Sequence, residues 1–551
     1  IIFGIVPIIN ALLSKHWVQK CLILFCSFLS SLNLFIADLV VVLMSSSSRA
    51  ETEEVGLRHW LILATVQITT LTFGMTITSA NVVLPQLKGA MAATSDQIAW
   101  VVTFNLVATA IATPLTGWLA QTLGWRNLLF VSLGGFTIFS ALCGFSDSLG
   151  SLVLCRVGQG AFGAPLMPLG QGMILATFPR RLHPMALMMW GIGGVIGPVL
   201  GPILGGVVAE EFNWRWVFFM IVPLGIACLG VAAISVGDQE KGTAKKFDFT
   251  GFIALAISIG AVQLMLDRGQ RLDWFESSEI IIEACLAVIC FYIFVVHSLT
   301  SQNPFLNLKL FLDRNFTLGC ITAFAMGWLS YTPIVLFPPL LQELRGYPDS
   351  LVGYLIAARG FGNWLSFFIV VQFTRKAPRL ALAVGLACQA VAGWEMGQLS
   401  INLTAFDVFW TNCLQGFGFG LAYTPMAVLA FSTLTPKFMV EGSGVFNLLR
   451  HFGSSVFISI SISILIQSSA LNYSDMTNGM NPFNELFRFP ALAGGWNFDG
   501  ITGLFNLSGE IMRQAQMIGY LKAFQLFAIA SAVAIPFSFF FVSPNNPPSK
   551  H

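Results

Sequence analysis

Two arginines lie inside long apolar stretches of this sequence. Arg156 stands within residues 150–177, and Arg359 stands within residues 350–372. An arginine at the centre of a bilayer costs about 3 kcal/mol even on the most lenient scale, so it normally faces a cavity or pairs with another group. Both residues are therefore candidates for the relay of charge along a polar pathway. The alternative for each is a static strut between helices.

Three further groups are candidates for taking up and releasing a proton. Glu395 and Asp407 are acids near the ends of apolar stretches in the carboxyl half, and His451 follows Arg450 in another. An imidazole changes its charge near neutral pH, and intramembrane carboxylates serve in proton relays. The alternative is a solvated helix end for either acid and a simple hydrogen-bonding role for the histidine.

The composition restricts the class of protein that these groups serve. Of the 551 residues, 56% are hydrophobic and 10% are charged, whereas a soluble domain has about 25% charged residues. A soluble globular enzyme is therefore excluded, and the apolar runs are too long for the ten-residue strands of a membrane barrel. The sequence predicts an all-α polytopic membrane protein whose partner is the lipid bilayer. The net charge of +2 comes from dispersed residues and indicates no nucleic-acid partner.

The apolar runs predict fourteen helices, each long enough to cross a bilayer. Their expected bounds are 60–84, 97–120, 128–146, 150–177, 185–208, 216–236, 250–267, 278–299, 316–341, 350–372, 380–400, 405–432, 444–468 and 520–541. More Lys and Arg fall in the loops that share a side with the tail after Met44, which places both ends of 44–551 in the cytoplasm of a bacterial cell under the positive-inside rule.

The segment before Met44 has two interpretations. Either residues 1–43 are an upstream extension that the natural protein lacks, or they form an additional apolar or targeting segment. The predicted plan then has a tail at 44–59, a six-helix half at 60–236, a charged linker at 237–249 and two inserted helices at 250–315. A second six-helix half follows at 316–541, with an outer loop at 469–519 and a tail at 542–551.

The two halves resemble each other. Residues 156–160 read RVGQG and are followed by Pro168, while residues 412–416 read NCLQG and are followed by Pro425. Duplicated halves are typical of secondary transporters, in which the substrate site lies at the interface of the repeats.

Three motifs carry a family resemblance. Residues 117–126 read GWLAQTLGWR, residues 156–163 read RVGQGAFG, and residues 197–206 read GPVLGPILGG. They resemble, in order, the cytoplasmic turn, the helix-4 arginine motif and the antiporter motif of the major facilitator superfamily, in its fourteen-helix drug:proton antiporter branch (EmrB/QacA-type multidrug exporters). The family's residues map here onto Gly117, Gln121, Gly124 and Arg126; onto Gln159, Gly160 and Gly163; and onto Gly197, Pro198, Gly201, Pro202, Gly205 and Gly206.

The resemblance implies a major facilitator fold and a hinge or packing seam in the glycine-proline helix. The sequence departs from the family at two acids, because residues 76–85 (TITSANVVLP) contain none and Gln121 replaces the aspartate of the turn. These departures favour neutral, anionic or weakly basic cargo over dications.

Aromatic and polar residues on the inner helices are candidates for the substrate cavity, since such cavities are mostly apolar with a few polar groups. The candidates are Trp100, Phe104, Asn105, Trp190, Met326, Trp328, Tyr331, Phe417 and Tyr423, and core or lipid-facing packing is the alternative for each. No Walker-type phosphate loop, HExxH or paired His/Cys spacing occurs, so we expect no catalytic site, cofactor or metal, and a proton gradient as the energy source.

These features together predict an antiporter that exports amphipathic organic compounds in exchange for protons. In a two-membrane bacterium the resemblance further implies a periplasmic adaptor and an outer-membrane channel. The alternatives are a specific exporter of a metabolite, siderophore or lipid-like molecule, and a membrane sensor that binds without transport.

Overall fold

The structure is a computed structural model that describes residues 56–93, 95–237, 247–302, 304–347, 349–435, 438–480 and 500–542. The predicted upstream segment 1–43, most of the tail 44–59, residues 238–246 of the linker and most of the final tail lie outside these ranges.

The first six-helix half is built from ten helical segments. Its described helices are α1 (Leu57–Val82), α2 (Leu84–Ala90), α3 (Ser95–Ala112), α4 (Leu115–Leu123), α5 (Trp125–Phe145), α6 (Leu149–Gly163), α7 (Leu166–Thr177), α8 (His183–Glu211), α9 (Arg215–Phe219) and α10 (Ile221–Ser235). Two predicted spans are divided by proline, since Pro114 precedes α4 and Pro165 precedes α7. Proline has no amide hydrogen to donate to the preceding turn, so the helix is interrupted there.

The rest of the bundle contains eight longer helices. They are α11 (Phe249–Arg268), α12 (Ser278–Thr300), α13 (Arg314–Pro339), α14 (Asp349–Lys376), α15 (Pro378–Met396), α16 (Ala405–Phe431), α17 (Met439–Asn478) and α18 (Ile501–Ala534).

The helices confirm an all-α membrane architecture. Among the described residues, eleven helices are long and apolar enough to cross a membrane, and the pair α3–α4, bent by 57°, makes a twelfth. Helices α8 and α15 occupy the two other predicted positions with 29 and 19 residues. Fourteen spans therefore stay a prediction.

The predicted outer loop 469–519 is helical at both of its ends. Helix α17 continues to Asn478 and α18 already begins at Ile501, so only the centre of this segment, residues 481–499, lies outside the described structure. The 40 residues of α17 correspond to about 60 Å of helix, twice the hydrocarbon thickness of a bilayer. The hydropathy pattern located the apolar part of each helix but not its polar extension, which is held by contacts such as Tyr473 Oη with Ser508 Oγ at 3.3 Å.

The inserted pair α11–α12 forms a hairpin that contacts both halves. Ser258 Oγ donates to the carbonyl of Ala287 within the hairpin at 3.0 Å. Helix α11 packs against α3 and α17, and Ser459 Oγ of α17 donates to the carbonyl of Leu266 at 2.9 Å. The pair therefore belongs structurally to the bundle rather than lying beside it.

Asp248 fixes the other end of this hairpin. Its carboxylate accepts hydrogen bonds from the amides of Gly251 and Phe305, both at 3.0 Å, and lies 2.8 Å from His297 Nε2. Burial alone would raise the pKa of Asp248, but these three hydrogen bonds lower it below its ordinary value of 3.8. The contribution of Asp248 to the stability of the fold is therefore complete above pH 3.8 and is lost as the pH falls below that value.

We expect Asp248→Asn to lower the thermal unfolding temperature of the purified protein, because an amide cannot accept at both of its ends. The loss of a hydrogen bond to a charged group corresponds to about 1.5–3 kcal/mol. The control is Asp273→Asn, which changes an exposed acid in the loop of the same hairpin. Equal unfolding temperatures for the two variants would contradict this role of Asp248.

Glycines set the distance between neighbouring helices in the second half. A Cβ added at Gly362 of α14 would overlap the carbonyl oxygen of Cys413 of α16, and one added at Gly416 would overlap the carbonyl oxygen of Arg359. Gly360, on the same helix as Gly362, has open space in its place. The backbones of α14 and α16 therefore touch along one line, as small residues permit in membrane bundles.

We expect Gly362→Ala to reduce the folded yield and the unfolding temperature, because the new methyl group meets a backbone atom that cannot move away alone. Gly360→Ala should leave both unchanged or raise the unfolding temperature, since alanine favours a helix over glycine by about 1 kcal/mol. Size-exclusion profiles and thermal unfolding of the two variants measure the difference. A lower unfolding temperature for Gly360→Ala than for Gly362→Ala would refute the close backbone contact between α14 and α16.

Candidate substrate and proton-coupling site

A central cavity lies between the two six-helix halves. Helices α7 and α8 contribute from the first half, and α13, α14, α16 and α17 contribute from the second. It is lined by Met167, Trp190, Gly191, Gly194, Pro198, Ser330, Tyr331, Ile334, Arg359, Phe419, Tyr423 and Arg450. Its volume of about 40 Å³ holds a few water molecules, whereas drug-sized ligands occupy roughly 300–1,000 Å³. A substrate therefore requires the halves to move apart.

Three of the predicted cavity residues and one of the predicted relay arginines meet in this cavity. Trp190, Tyr331, Tyr423 and Arg359 all line it, and Trp190 Nε1 donates to Thr70 Oγ1 at 2.8 Å, which fixes its ring. Sequence reasoning missed Phe419 and proposed Phe417 instead. Two residues along a helix turn the side chain by about 200°, and only a structure shows which face is inward.

Other cavity candidates have structural positions. Trp328 stacks on Phe457 with ring centroids 3.9 Å apart. Met326 is fully buried and accepts a hydrogen bond at its sulfur from Gln389, and Asn105 Nδ2 donates to the carbonyl of Arg156 at 2.8 Å. The side chains of Trp328, Met326 and Asn105 thus pack between helices, and none of the three lines the central cavity.

Trp100 and Phe104 lie in a different recess. This second cavity, of about 390 Å³, is formed by α1, α2, α3 and α11 and also contains Asp267 and Arg271. Thr103 Oγ1 donates to the carboxylate of Asp267 beside it. The recess is larger than the central cavity but has no wall from the second six-helix half. A movement of one half against the other would not open it to both sides, so the central cavity is the better candidate for transport.

The two arginines of the central cavity are joined by a pair of rings. The Arg359 guanidinium carbon lies 5.3 Å from the Phe419 ring, Phe419 stacks on Tyr423 at 5.5 Å, and the Arg450 guanidinium carbon lies 5.9 Å from Tyr423. A cation–π contact contributes about 0.5–2 kcal/mol, while burying an ion costs several kcal/mol. The rings therefore compensate only part of the cost of these charges.

Arg156 is held in a closed network away from that cavity. Its Nε donates to the carbonyl of Val101 at 3.0 Å and its Nη1 to Gln159 Oε1 at 2.5 Å, and Gln159 Nε2 donates to Ser140 Oγ at 2.7 Å. These contacts explain the residue types of the helix-4 motif. Gln159 accepts a hydrogen bond from Arg156. A Cβ at Gly160 would overlap Asn105, and a Cβ at Gly163 would overlap Phe73.

The predicted proton carriers are dispersed. Glu395 is exposed near the end of α15. Asp407 forms a capping box with Thr404, whose amide donates to its carboxylate at 2.7 Å. His451 lies beside the cavity, with Nε2 3.3 Å from Arg450 Nη2. Glu395 and Asp407 thus stand at helix ends, as the alternative interpretation had it, and the structure does not bring them to the arginines.

The glycine-proline motif forms a seam between α8 and α1. A Cβ at Gly197 would lie 2.6 Å from the carbonyl oxygen of Leu71, and a Cβ at Gly205 would lie 3.1 Å from Ser79 Cβ. Gly201 likewise faces Thr78, while Pro198 fits against Gly74 and also reaches the central cavity. Packing along this face is therefore evident. The motif's Pro202 and Gly206 lie on the same helix.

The predicted cytoplasmic turn touches the second half. Gly124 ends α4 with φ of 80°, where a side chain would be strained, and the Arg126 guanidinium lies over the Phe130 ring. A Cβ at Gly117 would lie 2.9 Å from the Cα of Glu441. Glu441 Oε2 accepts from Gln121 Nε2 at 3.3 Å. An acid on α17 therefore contacts this turn, which has none of its own, and sequence motifs alone did not indicate that contact.

A second set of contacts joins the halves one turn deeper. Gln171 Oε1 of α7 accepts from Ser443 Oγ at 2.9 Å and from Asn447 Nδ2 at 2.5 Å. A Cβ at Gly172 would meet Val440. These contacts hold α4, α7 and α17 together and close the end of the central cavity that the sequence assigns to the cytoplasm.

We expect Gly117→Leu to open this end, because the new side chain meets the backbone at Glu441. Ser443 is fully buried, so a Ser443→Cys reporter in nanodiscs should react at least fivefold faster with a membrane-impermeant maleimide, measured peptide by peptide by mass spectrometry. Gly134→Leu is the matched control, since its position has open space. An unchanged labelling rate in the Gly117 variant would show that this contact does not keep the end closed.

The sequence profile of the Major Facilitator Superfamily matches residues 66–458. The multidrug export protein EmrB of Escherichia coli (strain K12) is 34% identical over 77% of this chain and 84% of its own length. The fatty acid resistance protein FarB of Neisseria gonorrhoeae is 31% identical over 83% of this chain and 91% of its own.

Solved structures agree with the fold. The proton:xylose symporter XylE, a member of the major facilitator superfamily, matches with a TM-score of 0.57 at 12% identity, over 88% of this chain and 96% of its own. At this identity the match concerns the fold alone. The sequence matches and the shared architecture together establish that this chain is a transporter of the major facilitator superfamily, a relative of the EmrB multidrug export proteins and not an enzyme.

Proposed function

We propose that the protein exports amphipathic and hydrophobic organic compounds in exchange for protons by alternating access. The observation that carries this proposal is the central cavity, which is shared by both halves, walled by aromatic rings and closed at one end by contacts between the halves. A cavity of this kind becomes open to either side when two rigid halves rock about it.

The closed end supports a specific sequence of movements. The contacts of Gln121 with Glu441 and of Gln171 with Ser443 and Asn447 are single hydrogen bonds between side chains. Breaking a hydrogen bond between neutral side chains costs about 0.5–1.5 kcal/mol, and breaking the one to the Glu441 carboxylate costs about 1.5–3 kcal/mol. A bound substrate or a proton gradient can supply these amounts. The glycine contacts within each half bring backbones together and do not break in this movement.

Arg156, Arg359 and the pair Arg450–His451 are the groups that we retain for proton coupling. Each lies within the bundle, whereas Glu395 and Asp407 stand at helix ends. A proton on His451 would face the Arg450 guanidinium at 3.3 Å. Like charges at this distance repel, so proton uptake there would require movement of Arg450, which couples protonation to the cavity wall.

A second candidate function is the specific export of a lipid-like molecule. The FarB match favours it, because that relative's name concerns resistance to fatty acids and the alignment covers most of both chains. The breadth of the substrate response separates this candidate from multidrug export. A metabolite or siderophore exporter would also show a narrow response.

The orientation and the partners are part of the proposal. We place both ends of 44–551 in the cytoplasm of a bacterial inner membrane, from the distribution of Lys and Arg. If the source has two membranes, the projecting hairpin of α17 and α18 is the surface for a periplasmic adaptor leading to an outer-membrane channel. Its exposed Leu471, Ile501 and Phe505 suit such a contact.

The test uses inverted membrane vesicles of an efflux-deficient host that contain the full chain and carry an imposed proton gradient. Addition of several chemically unrelated hydrophobic compounds should each release protons from the lumen, followed with a pH-sensitive dye. Arg156→Ala should reduce the release at least tenfold, because it removes a charge bonded to Val101 and Gln159, and Arg156→Lys should retain part of it.

Arg345→Ala serves as the matched control, since this arginine lies over the Tyr347 ring in the connection between α13 and α14 and does not line the central cavity. Proton release with one compound only would favour the specific exporter. No release with any compound, by a protein that is folded and binds those compounds, would sink the antiport proposal.

A further inference from the structure

The central cavity contains positive charge without a matching acid. Arg359 and Arg450 are 2% and 5% exposed and both line the cavity. The lining includes no Asp or Glu, and within the described ranges of the chain neither arginine forms an ion pair. Buried charges in proteins are normally paired, whereas this cavity brings two cations together without a carboxylate.

Hydrogen bonds inside the protein leave part of each guanidinium unused. Arg359 Nη1 donates to the carbonyl of Ser330, and Arg450 Nη2 donates to Asn447 Oδ1 at 3.3 Å. The Nε of each arginine is buried and has no hydrogen-bond partner. A guanidinium presents Nε–H and a neighbouring Nη–H as a planar fork, which matches the oxygens of a carboxylate, sulfonate or phosphate.

Apolar groups surround these donors. Phe419 and Tyr423 stack between the two arginines, and Trp190 lies 6.2 Å from Tyr423 across the interface of the halves. Met167 of α7 adds a flexible apolar contact. The site therefore combines an anion-binding edge with an aromatic wall, and two buried positive charges repel a cationic ligand.

We propose that the central cavity selects anionic amphipathic compounds, whose acidic head group binds Arg359 and Arg450 while the apolar part lies against Trp190, Phe419 and Tyr423. This inference rests on the proposed export function and specifies its substrate class.

The two halves contribute different parts of this site. Arg359, Arg450, Phe419 and Tyr423 belong to α14, α17 and α16, all in the second half, while Trp190 and Met167 belong to the first. The head group is therefore held by one half alone. When the first half rocks away, the anion stays bound to the second half, while the contact of Trp190 with Tyr423 and that of Met167 Sδ with Arg450 Nη2 at 3.5 Å are broken.

The test compares three compounds with the same eight-carbon chain and a permanent charge state: octanesulfonate, octanol and octyltrimethylammonium. Binding to the full chain is measured in nanodiscs of zwitterionic lipid, and binding to empty nanodiscs is subtracted. We expect octanesulfonate to bind at least tenfold more tightly than octanol and octyltrimethylammonium to bind most weakly. Equal affinities, or a preference for the cation, would overturn the proposal without the need for any variant.

Variants then assign the preference to the two arginines. Arg359→Gln and Arg450→Gln should each weaken octanesulfonate binding at least tenfold and change octanol binding less than threefold, which also shows that the variants are folded. Arg345→Gln is the control outside the cavity. Preserved sulfonate binding in both cavity variants would refute the assignment.

Two further arms separate this inference from its alternatives. If nanodiscs with anionic phosphatidylglycerol weaken sulfonate binding tenfold relative to zwitterionic ones at high salt, which screens the charge of the lipid surface, the occupant is a lipid head group and the substrate proposal fails. In the vesicle experiment, proton release by hydrophobic compounds with no anion preference would refute only the substrate class. Selective sulfonate binding with no proton exchange would refute only the antiport.

Discussion

The burial of guanidinium groups among apolar helices is the constraint on which the rest of this structure depends. The protein meets it in two ways. Arg156 is bonded to Val101, Gln159 and, through the glutamine, Ser140, so the first half contains a satisfied cation. Arg359 and Arg450 rest on aromatic rings and keep an unpartnered Nε. The first half is therefore complete by itself, and the second half contains the charge that awaits a ligand.

Glycine contacts explain how such halves behave as units. Gly160 approaches Asn105, Gly362 approaches Cys413, and Gly453 of α17 approaches Phe324 of α13, in each case within one half. Contacts of backbone with backbone tolerate little sliding. Between the halves, the closed end combines side-chain hydrogen bonds such as those of Gln171 with the close approach of Gly117 to Glu441 and of Gly172 to Val440. Opening of the interface between the halves therefore has to break both kinds of contact.

The sequence predicted the fold class, the approximate helix positions and two of the intramembrane arginines, Arg156 and Arg359, because long apolar runs and buried charges are properties of single segments. It also predicted Trp190, Tyr331 and Tyr423 at the cavity, because aromatic residues within an apolar run can be recognised from that segment alone. It did not identify Phe419, Glu441 or Gln171, whose importance depends on which helix faces which. Nor did it show that Asp407 caps α16, since a carboxylate in a first turn can also be functional. The lengths of α17 and α18 escaped hydropathy because their outer turns are polar.

The inserted hairpin has a consequence for the path of hydrophobic molecules through the bilayer. A two-half bundle has two lateral seams, and α11 covers one of them by packing on both α3 and α17, with Ser459 bonded to Leu266. The other seam, where α8 meets α14, is formed by the two halves themselves. A compound dissolved in the lipid therefore meets an asymmetric wall, and under the proposed export the α8–α14 side is the one left for sideways entry from the membrane.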